Sequence, residues 1–293
     1  TIDGPDAGAD SNSVTIAMND GATATNDTPD VTGGLTITDF KTATIDASVE
    51  STTVAGATLN DTTFAAIDGS SDNTNLTIKG GSNTMTLSGT HTVGTGAFTI
   101  ESNAAVALGA SDITANVFTH TGSGAVTWTD ANSSEVKTIS TGSGNDAITL
   151  AVLTENMTLN SGAGDDTITI ATDTSASKTY SLTGGDGADI LSLSSDNADL
   201  NNGTAFTMSG VETISMTAAV DTGITVGNAL LHNQGIIIDH ASETDTFDIN
   251  VEMGTAVATD LSSLTINTTR ITTADEIVIS NSTSNSNSNS NSN

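Results

Sequence analysis

The chain has 293 residues, enough for two or three ordinary domains or for one long solenoid. It carries 5 Lys and Arg against 35 Asp and Glu, and the formal charge of −30 disfavours nucleic acid and anionic lipid as partners and favours a cation. It has no Cys, which leaves metal ions rather than disulfides to staple a fold, and no run of about 18 apolar residues that would predict a transmembrane segment.

The first quarter of the chain, residues 1–75, predicts β structure. Short stretches such as Leu35-Thr36-Ile37 alternate apolar and hydroxyl side chains with a period of two, whereas the apolar stripe of an amphipathic helix is missing. These stretches and the turn Thr32-Gly33-Gly34 show no clear period, so no topology is predicted for the segment. The next strand, Leu76-Thr77-Ile78, is followed by Gly80-Gly81 and reads as a degenerate first coil of a repeat.

A repeat of about 20 residues is the strongest pattern in the sequence. Glycine-rich turns begin at Thr121, Thr141, Ser161 and Gly184, at spacings of 20, 20 and 23 residues, and apolar residues keep step on both sides. A unit of this size cannot bury its own apolar face, so copies of it must stack. The sequence therefore predicts an all-β protein with a parallel β-solenoid over residues 76–195.

The last third, residues 196–280, is rich in strand-like stretches such as Ile214-Ser215-Met216 and is predicted as a β-rich C-terminal segment. The stretch 227–235 interrupts the pattern and is compatible with a short helical turn. Residues 281–293 are almost entirely alternating Ser and Asn, with no apolar side chain to bury, and are predicted to be a disordered tail.

An acidic residue follows the glycines of three of these four turns at a fixed offset, in the pattern Gly-x-Gly-x-Asp-x-apolar. The aspartates are Asp146, Asp166 and Asp189, and two of them follow a further polar residue, Asn145 or Asp165. Glycine at positive φ would let the chain turn tightly with its carbonyls in the gap between stacked turns, where the carboxylate also points. Such oxygen ligands suit Ca²⁺ better than Mg²⁺ or Zn²⁺. Turn formation alone also explains one Gly-Asp cluster, but three copies in phase favour calcium.

These residues resemble the RTX nonapeptide, GGxGxDxUx, whose family forms calcium-loaded parallel β-rolls. The match departs from the family at Thr141 and Ser161, which replace the first glycine, in having one nonapeptide per coil, and at Val126, which stands where an Asp belongs. Because of these departures, a single file of Ca²⁺ ions along one edge is expected in place of the family's two. The ligands that it implies are the side chains of Asp146, Asp166 and Asp189, with Asn145 and Asp165 beside them, and the carbonyls of Gly142, Gly144, Gly162, Gly164, Gly185 and Gly187.

A second resemblance lies in the segment from Phe206 to Met216, which is similar to the F-x-x-G-V-E-x-hydrophobic strand that often follows RTX repeats in bacterial surface-layer proteins. It implies a non-enzymatic structural subunit of a calcium-dependent extracellular surface layer, self-assembling into a lattice or filament at the cell surface. A cell-surface polysaccharide is a further expected partner. An RTX adhesin or biofilm-matrix module is the nearest alternative.

Two other solenoid functions stay open as alternatives. A polysaccharide lyase or epimerase would need groups that move protons, but His, Lys, Arg and Tyr are spread singly, and His120 and Lys137 are expected to be exposed strand residues. Ice binding would need unbroken Thr-x-Thr ranks, such as Thr127-Trp128-Thr129, and these fail at intermediate coils. Five aspartates outside the repeat are interpreted as solvated turn residues: Asp72, Asp112, Asp196, Asp221 and Asp260.

Overall fold

The structure is a computed structural model that describes most segments of the chain from residue 2 to residue 281. The described residues are 2–3, 12–18, 34–38, 40–48, 62–64, 66–69, 73–81, 83–110, 112–130, 136–151, 153–171, 174, 178–195, 198–201, 205–217, 223–232, 234–240, 248–253, 260–267 and 276–281. From residue 282 on, the predicted tail lies outside them, and Asn281 ends the last strand.

The described residues form 28 short strands and one helix of four residues. The first nine strands are β1 (Ile2–Asp3), β2 (Ser13–Ala17), β3 (Leu35–Thr38), β4 (Thr42–Asp46), β5 (Thr62–Phe64), β6 (Ile67–Asp68), β7 (Asn75–Lys79), β8 (Met85–Leu87) and β9 (Thr90–Thr92). The next eleven are β10 (Ala97–Glu101), β11 (Val106–Gly109), β12 (Asp112–Thr114), β13 (Val117–Thr121), β14 (Val126–Asp130), β15 (Thr138–Ser140), β16 (Ala147–Leu150), β17 (Met157–Ala163), β18 (Thr167–Ile170), β19 (Thr179–Asp186) and β20 (Ile190–Leu193). The remainder are β21 (Ala198–Asp199), β22 (Ala205–Ser209), β23 (Thr213–Met216), β24 (Gly223–Gly227), α1 (Asn228–Leu231), β25 (Ile237–His240), β26 (Asp248–Met253), β27 (Thr265–Ile266) and β28 (Glu276–Asn281).

The strands form four sheets in which neighbouring strands are parallel, so the predicted all-β parallel solenoid is confirmed. Sheet 1 has nine strands in the order β2-β4-β7-β10-β13-β15-β17-β19-β22, and sheet 2 has ten in the order β27-β25-β23-β20-β18-β16-β14-β11-β8-β5. Sheet 3 is β1-β3-β6-β9-β12, and sheet 4 is β21-β24-β26-β28. From β4 to β23 each coil passes through sheet 1, turns, and continues in sheet 2, while sheets 3 and 4 form a third side near the two ends.

The segments on both sides of residues 76–195 belong to this same stack of coils. Strand β4 pairs with β7, so that Ala43 lies beside Leu76, and β19 pairs with β22, so that Tyr180 lies beside Phe206. The described strands within residues 1–75 and 196–280, for which no topology was predicted, therefore add to the ladders of sheets 1 and 2.

The core runs along the inside of the coils because alternate strand residues point inward. In β18 and β10 every second residue is buried, and the threonines between them face outward. Aromatic rings meet at the centre: Phe98 stacks on Phe118 with ring centroids 6.2 Å apart, and Phe118 lies 4.9 Å from Trp128. The apolar residues that keep step with the repeat are thus the buried layer of each coil.

Helix α1 falls within the stretch 227–235, where a helical turn was considered, and it ends sheet 1. It follows β24 and packs against β22, the last strand of that sheet, as well as against β24 and β26. Its inward side chains, Leu230 and Leu231, are buried. Within the described part of the chain, no helix is long and apolar enough to cross a membrane.

Candidate metal centre

The three predicted aspartates lie in one inward-facing column at the turn between sheets 1 and 2. Each stands one residue before its strand of sheet 2, and the register of β14, β16, β18 and β20 places them beside one another in successive coils. In the earlier coils the same column holds Val106 and Val126, which are buried and apolar. The substitution of Val126 for the Asp of the repeat therefore marks the first coil outside the acidic part.

A ladder of hydrogen bonds connects each aspartate to the preceding coil. Oδ1 of Asp146 accepts the backbone N–H of Val126 at 2.7 Å, Oδ1 of Asp166 accepts that of Asp146 at 2.8 Å, and Oδ1 of Asp189 accepts that of Asp166 at 2.9 Å. The exposed fraction of these three side chains is 2%, 1% and 1%. One oxygen of each carboxylate is thereby used to join two coils.

Glu212 extends this ladder by one coil, and it was not among the predicted site residues. Its Oε2 accepts the backbone N–H of Asp189 at 2.8 Å, as the aspartates do one coil earlier. Segment 206–216, expected to be a single strand, is instead β22 and β23 with a turn at Gly210 between them. The sequence does contain a pattern that marks Glu212, because it stands two residues after Gly210, just as Asp189 stands two residues after Gly187. We call Asp146, Asp166, Asp189 and Glu212 the carboxylate column.

The second oxygen of each aspartate is the unusual feature of the column. Among the residues that the structure describes, Oδ2 of Asp146, Asp166 and Asp189 is buried and has no hydrogen-bond partner. The hydroxyls of Thr141 and Ser161, which act to lower the pKa of Asp146 and Asp166, donate their hydrogen bonds to backbone carbonyls instead. A buried acceptor without a partner costs about 1–3 kcal/mol, and more when it is charged. The two surface ion pairs of the described residues, Lys79–Glu101 and Lys178–Glu155, join side chains outside this column.

Burial raises the pKa of all three aspartates above the ordinary value. For Asp146 the hydroxyl of Thr141 and the N–H of Val126 oppose this increase, whereas the pKa of Asp166 still rises to about 6. The pKa of Asp189 is raised by burial and further by Glu212 and Asp165. Charges about 5 Å apart, the spacing of neighbouring strands, repel by about 3 kcal/mol at an effective dielectric constant of about 20. The column therefore needs protons or cations to neutralise it.

A second inward column on sheet 1 becomes polar next to the aspartates. Ile45, Ile78 and Ile100 occupy it in the first coils, and His120, Thr141 and Ser161 follow. Thr141 Oγ1 donates to the carbonyl of Ser161 at 2.7 Å, and Ser161 Oγ donates to that of Gly184 at 3.0 Å. The interior of the turn is thus lined with oxygen atoms on both sides.

His120 occupies this second column, so its predicted exposure is wrong. Its exposed fraction is 1%, and Nε2 lies 3.0 Å from the carbonyl oxygen of Ser102. Burial lowers its pKa, while the Ser102 carbonyl and the nearby Asp146 oppose that decrease. The cause is register, because His120 shares the inward column of Ile100 and not the outward column of Thr99. Lys137 is exposed, as predicted.

The glycines of the repeat bring successive turns into backbone contact. A Cβ on Gly162 would overlap the carbonyl oxygen of Gly142, and a Cβ on Gly185 would overlap that of Gly162. Gly162, Gly164, Gly185 and Gly187 adopt φ values of 100°, 125°, 127° and 149°, as predicted for tight turns. Gly142 and Gly144 do not adopt such φ values. Glycine is required there for steric reasons, since a Cβ on Gly142 would meet the backbone of Gly122 and a Cβ on Gly144 that of Gly124. The carbonyls thus point toward the next coil.

Asn145 and Asp165 are not in the carboxylate column, although they adjoin it in sequence. Both are exposed, and they form an outer ladder of opposite direction. Oδ1 of Asn145 accepts the N–H of Asp165 at 3.0 Å, and Oδ1 of Asp165 accepts the N–H of Ala188 at 2.9 Å, each from the following coil. Their observed role is to join coils at the surface.

The column offers oxygen atoms of the kind that calcium prefers, arranged in pairs. Among the residues that the structure describes, no three acidic or histidine side chains gather at one point. An ion between two coils would therefore be held by the carboxylates of two successive column members and by glycine carbonyls. Carboxylate and carbonyl oxygens in irregular number fit Ca²⁺. The buried Oδ2 atoms without partners are the observation that fits such an ion.

The aspartates outside the repeat are only partly described. Asp260 is exposed, as predicted, and its backbone N–H donates to Nδ1 of His232 at 2.9 Å. Asp112 begins strand β12 and does not lie in a turn. The remaining three, Asp72, Asp196 and Asp221, lie outside the described residues.

Comparison of this chain with models of protein families, with curated proteins and with solved structures finds no match in any of the three. The fold and the carboxylate column are thus the findings on which a function can be argued.

Proposed function

We propose that this chain is a structural subunit of a calcium-dependent layer on the outside of a cell. In this proposal Ca²⁺ ions along the carboxylate column join the coils, and the assembled solenoids form a lattice. The observation that carries it is the set of buried Oδ2 atoms of Asp146, Asp166 and Asp189, which have no hydrogen-bond partner in the described part of the chain.

The electrostatics of the column favour cations as the neutralising agent. Protons would suffice only below a pH near the raised pKa values, and the pKa of Asp166 rises to about 6 through burial. At neutral pH the carboxylates must ionise or the fold must hold protons against the solvent. Ca²⁺ removes the electrostatic cost of ionised neighbours, because each of two carboxylates is attracted to an ion that lies between them.

Stabilisation by calcium follows from mass action. Extracellular modules bind Ca²⁺ with dissociation constants of about 10⁻⁴–10⁻³ M, so external calcium at about ten times that constant contributes about 1.4 kcal/mol per site. Two or three such sites are a large part of an ordinary stability of about 5–15 kcal/mol. The same chain would be weakly folded where calcium is scarce, as inside a cell, and stable outside it.

A structural role is favoured over an enzymatic one by the placement of the groups that transfer protons. His91, His120 and Tyr180 are buried, and Tyr180 donates its hydroxyl to the carbonyl of Leu153 at 2.8 Å. Lys79 and Lys178 pair with surface glutamates. A formal charge of −30 also makes divalent ions suitable bridges between subunits, because acidic surfaces otherwise repel each other.

The calcium part of the proposal is tested by chelation and by one substitution in the column. EDTA is expected to lower the melting temperature and the β signal in circular dichroism. Asp166→Asn, which keeps an acceptor for the N–H of Asp146, is expected to weaken calcium binding most, because its turn lies between the other two. The control is Asp260→Asn on the exposed surface, which should leave binding unchanged. Unchanged melting with EDTA, or equal losses in the two variants, would contradict the proposal.

The layer part is tested by assembly. Purified protein in calcium at about ten times the dissociation constant should form ordered arrays in negative-stain micrographs, and chelator should dissolve them. A protein that stays monomeric by light scattering in both conditions would contradict the layer and favour an adhesin or matrix module.

A further inference from the structure

The carboxylate column does not end with the last aspartate of the glycine repeat. Glu212 lies one coil beyond Asp189, outside the segment 76–195, and accepts the N–H of Asp189 at 2.8 Å. We propose that Asp189, Glu212 and the carbonyl of Gly210 form a further Ca²⁺ site, at the coil where the glycine repeat has ended. This inference rests on the proposed function, since it extends the same column.

Two of the three proposed ligand oxygens, those of Asp189 and Gly210, approach each other at this coil. Oδ2 of Asp189 is buried and has no hydrogen-bond partner among the described residues, and it lies 2.5 Å from the place where a Cβ on Gly184 would stand. The carbonyl oxygen of Gly210 lies even closer to that same point. The absence of a side chain on Gly184 is therefore what lets the carboxylate of one coil and the carbonyl of the next approach each other.

Charge is uncompensated at this position. Burial raises the pKa of Asp189, and the negative charges of Glu212 and Asp165 raise it further. No Lys or Arg side chain of the described residues forms an ion pair with Asp189 or Glu212. A hydrogen bond from a backbone N–H satisfies one oxygen of each group, and the remaining charge calls for a cation.

This site differs from those between aspartates in its access to solvent. Asp166 and Asp189 have an exposed fraction of 1%, whereas Glu212 is half-buried. Glutamate is also one methylene longer, so its carboxylate can reach an ion nearer to the surface. We therefore expect the site to exchange its ion faster than the enclosed sites and to lose it first on chelation.

The test compares Glu212→Gln with the wild-type chain and with Glu101→Gln. The Glu212→Gln change keeps an acceptor for the N–H of Asp189 and removes only the charge, while Glu101 is a surface residue paired with Lys79 at 3.5 Å. Calorimetric titration with CaCl₂ should show one fewer ion per chain for Glu212→Gln and an unchanged number for Glu101→Gln. Without metal, Glu212→Gln should melt no lower than wild type, because a like charge beside Asp189 is removed.

The outcomes separate this inference from the proposed function. Loss of one ion, together with a smaller rise of melting temperature on adding calcium, supports the site. A wild-type chain that binds Ca²⁺ and a Glu212→Gln variant that binds the same number with the same affinity would overturn the site and leave the proposed function standing. A wild-type chain that binds no Ca²⁺ would overturn both.

Discussion

Single glycines determine how closely the coils stack. Gly185 combines a φ of 127° with a Gly162 carbonyl oxygen that occupies the place where a Cβ would stand. Left-handed backbone costs a residue with a side chain about 1–2 kcal/mol, and a Cβ here would also have to displace backbone of the neighbouring coil. Two independent reasons thus require glycine at one position.

Gly185→Ala is expected to destabilise the protein by more than about 2 kcal/mol, since both the φ and the contact oppose it. Gly235→Ala is the matched control, because no atom of the described residues lies within 4 Å of the place where its Cβ would stand and its φ is not left-handed. Urea denaturation of both variants measures the difference. Equal midpoints would show that the coils can separate at this turn without cost.

A buried histidine away from the carboxylate column gives the chain a defined response to acid. His91 lies in an inward column of sheet 3 between Ile67 and Ile113, with its ring centroid 5.9 Å from that of Phe98. Burial lowers its pKa to about 4, and a backbone group of Ser88 opposes this only partly. The unfolded chain therefore binds more protons than the folded one between a pH of about 4 and about 6.5, and stability falls as pH falls through this window.

His91→Leu is expected to remove this part of the pH dependence. Leu matches the apolar neighbours, so at pH 7 the variant should be about as stable as wild type. At pH 4.5 it should be more stable by up to about 3 kcal/mol. Denaturation of both proteins at a series of pH values gives the difference in their free energies of unfolding. The contribution of the aspartates, whose raised pKa values act in the opposite sense, is the same in both proteins and cancels in that difference. Parallel curves for the two proteins would refute this assignment.

At the scale of the element, α1 protects the end of sheet 1. Among the described strands, β22 has a neighbour on one side only, and α1 packs at this end with Leu230 and Leu231 buried. An uncovered edge strand is a template for pairing with another chain. A helix of only four residues thus closes one long sheet of the solenoid.

Leu231→Ala is expected to cost about 3 kcal/mol and to increase self-association, because it leaves a cavity under α1 and loosens the cover of β22. Ile279→Ala in β28 is the control, since Ile279 is 54% exposed and its loss should change stability by less than about 0.5 kcal/mol. Thermal melting and light scattering measure the two effects. Equal behaviour of both variants would mean that α1 does not cap the sheet.

Equal spacing decided which elements could be predicted from the sequence. The coils from Thr141 to Asp189 were predicted because their turns recur at intervals of 20 and 23 residues. Paired residues such as Ala43 and Leu76 lie 33 positions apart, and Leu76 and Phe98 lie 22 apart, so no period reveals them. Unequal connections hide the stack from the sequence, although each strand can be read locally.

The alignment of outward-facing threonines was also hidden from the sequence by the unequal connections. The Thr-x-Thr stretches of sheet 2 are interrupted at intermediate coils, yet sheet 1 carries an aligned outward column of five threonines, Thr15, Thr44, Thr77, Thr99 and Thr119. The three aspartates of the column were predicted because glycines mark them. Glu212 was missed because one glycine precedes it instead of two, and the inward direction of His120 depends on register that only the paired strands define.

At the scale of the whole molecule, the negative charges are stacked along the same axis as the coils. The formal charge is −30, and the carboxylate column runs along the stack, so its repulsion acts between successive coils. The inner and outer ladders oppose that repulsion from both sides of the turn, because one accepts N–H groups of the preceding coil and the other those of the following coil. Neutralising the column would therefore tighten the solenoid along its length.

The parallel stacking also determines how this protein would respond to tension. Strand β2 ends sheet 1 on one side and β28 ends sheet 4 on the other, so force applied through the two chain ends would act along the axis and separate coils one after another. Paired residues such as Ile148 and Ile168 are 20 positions apart, and each coil released would lengthen the chain by about 70 Å. A layer built from such subunits would yield in small steps under stress and could rewind a coil at a time when the stress is removed.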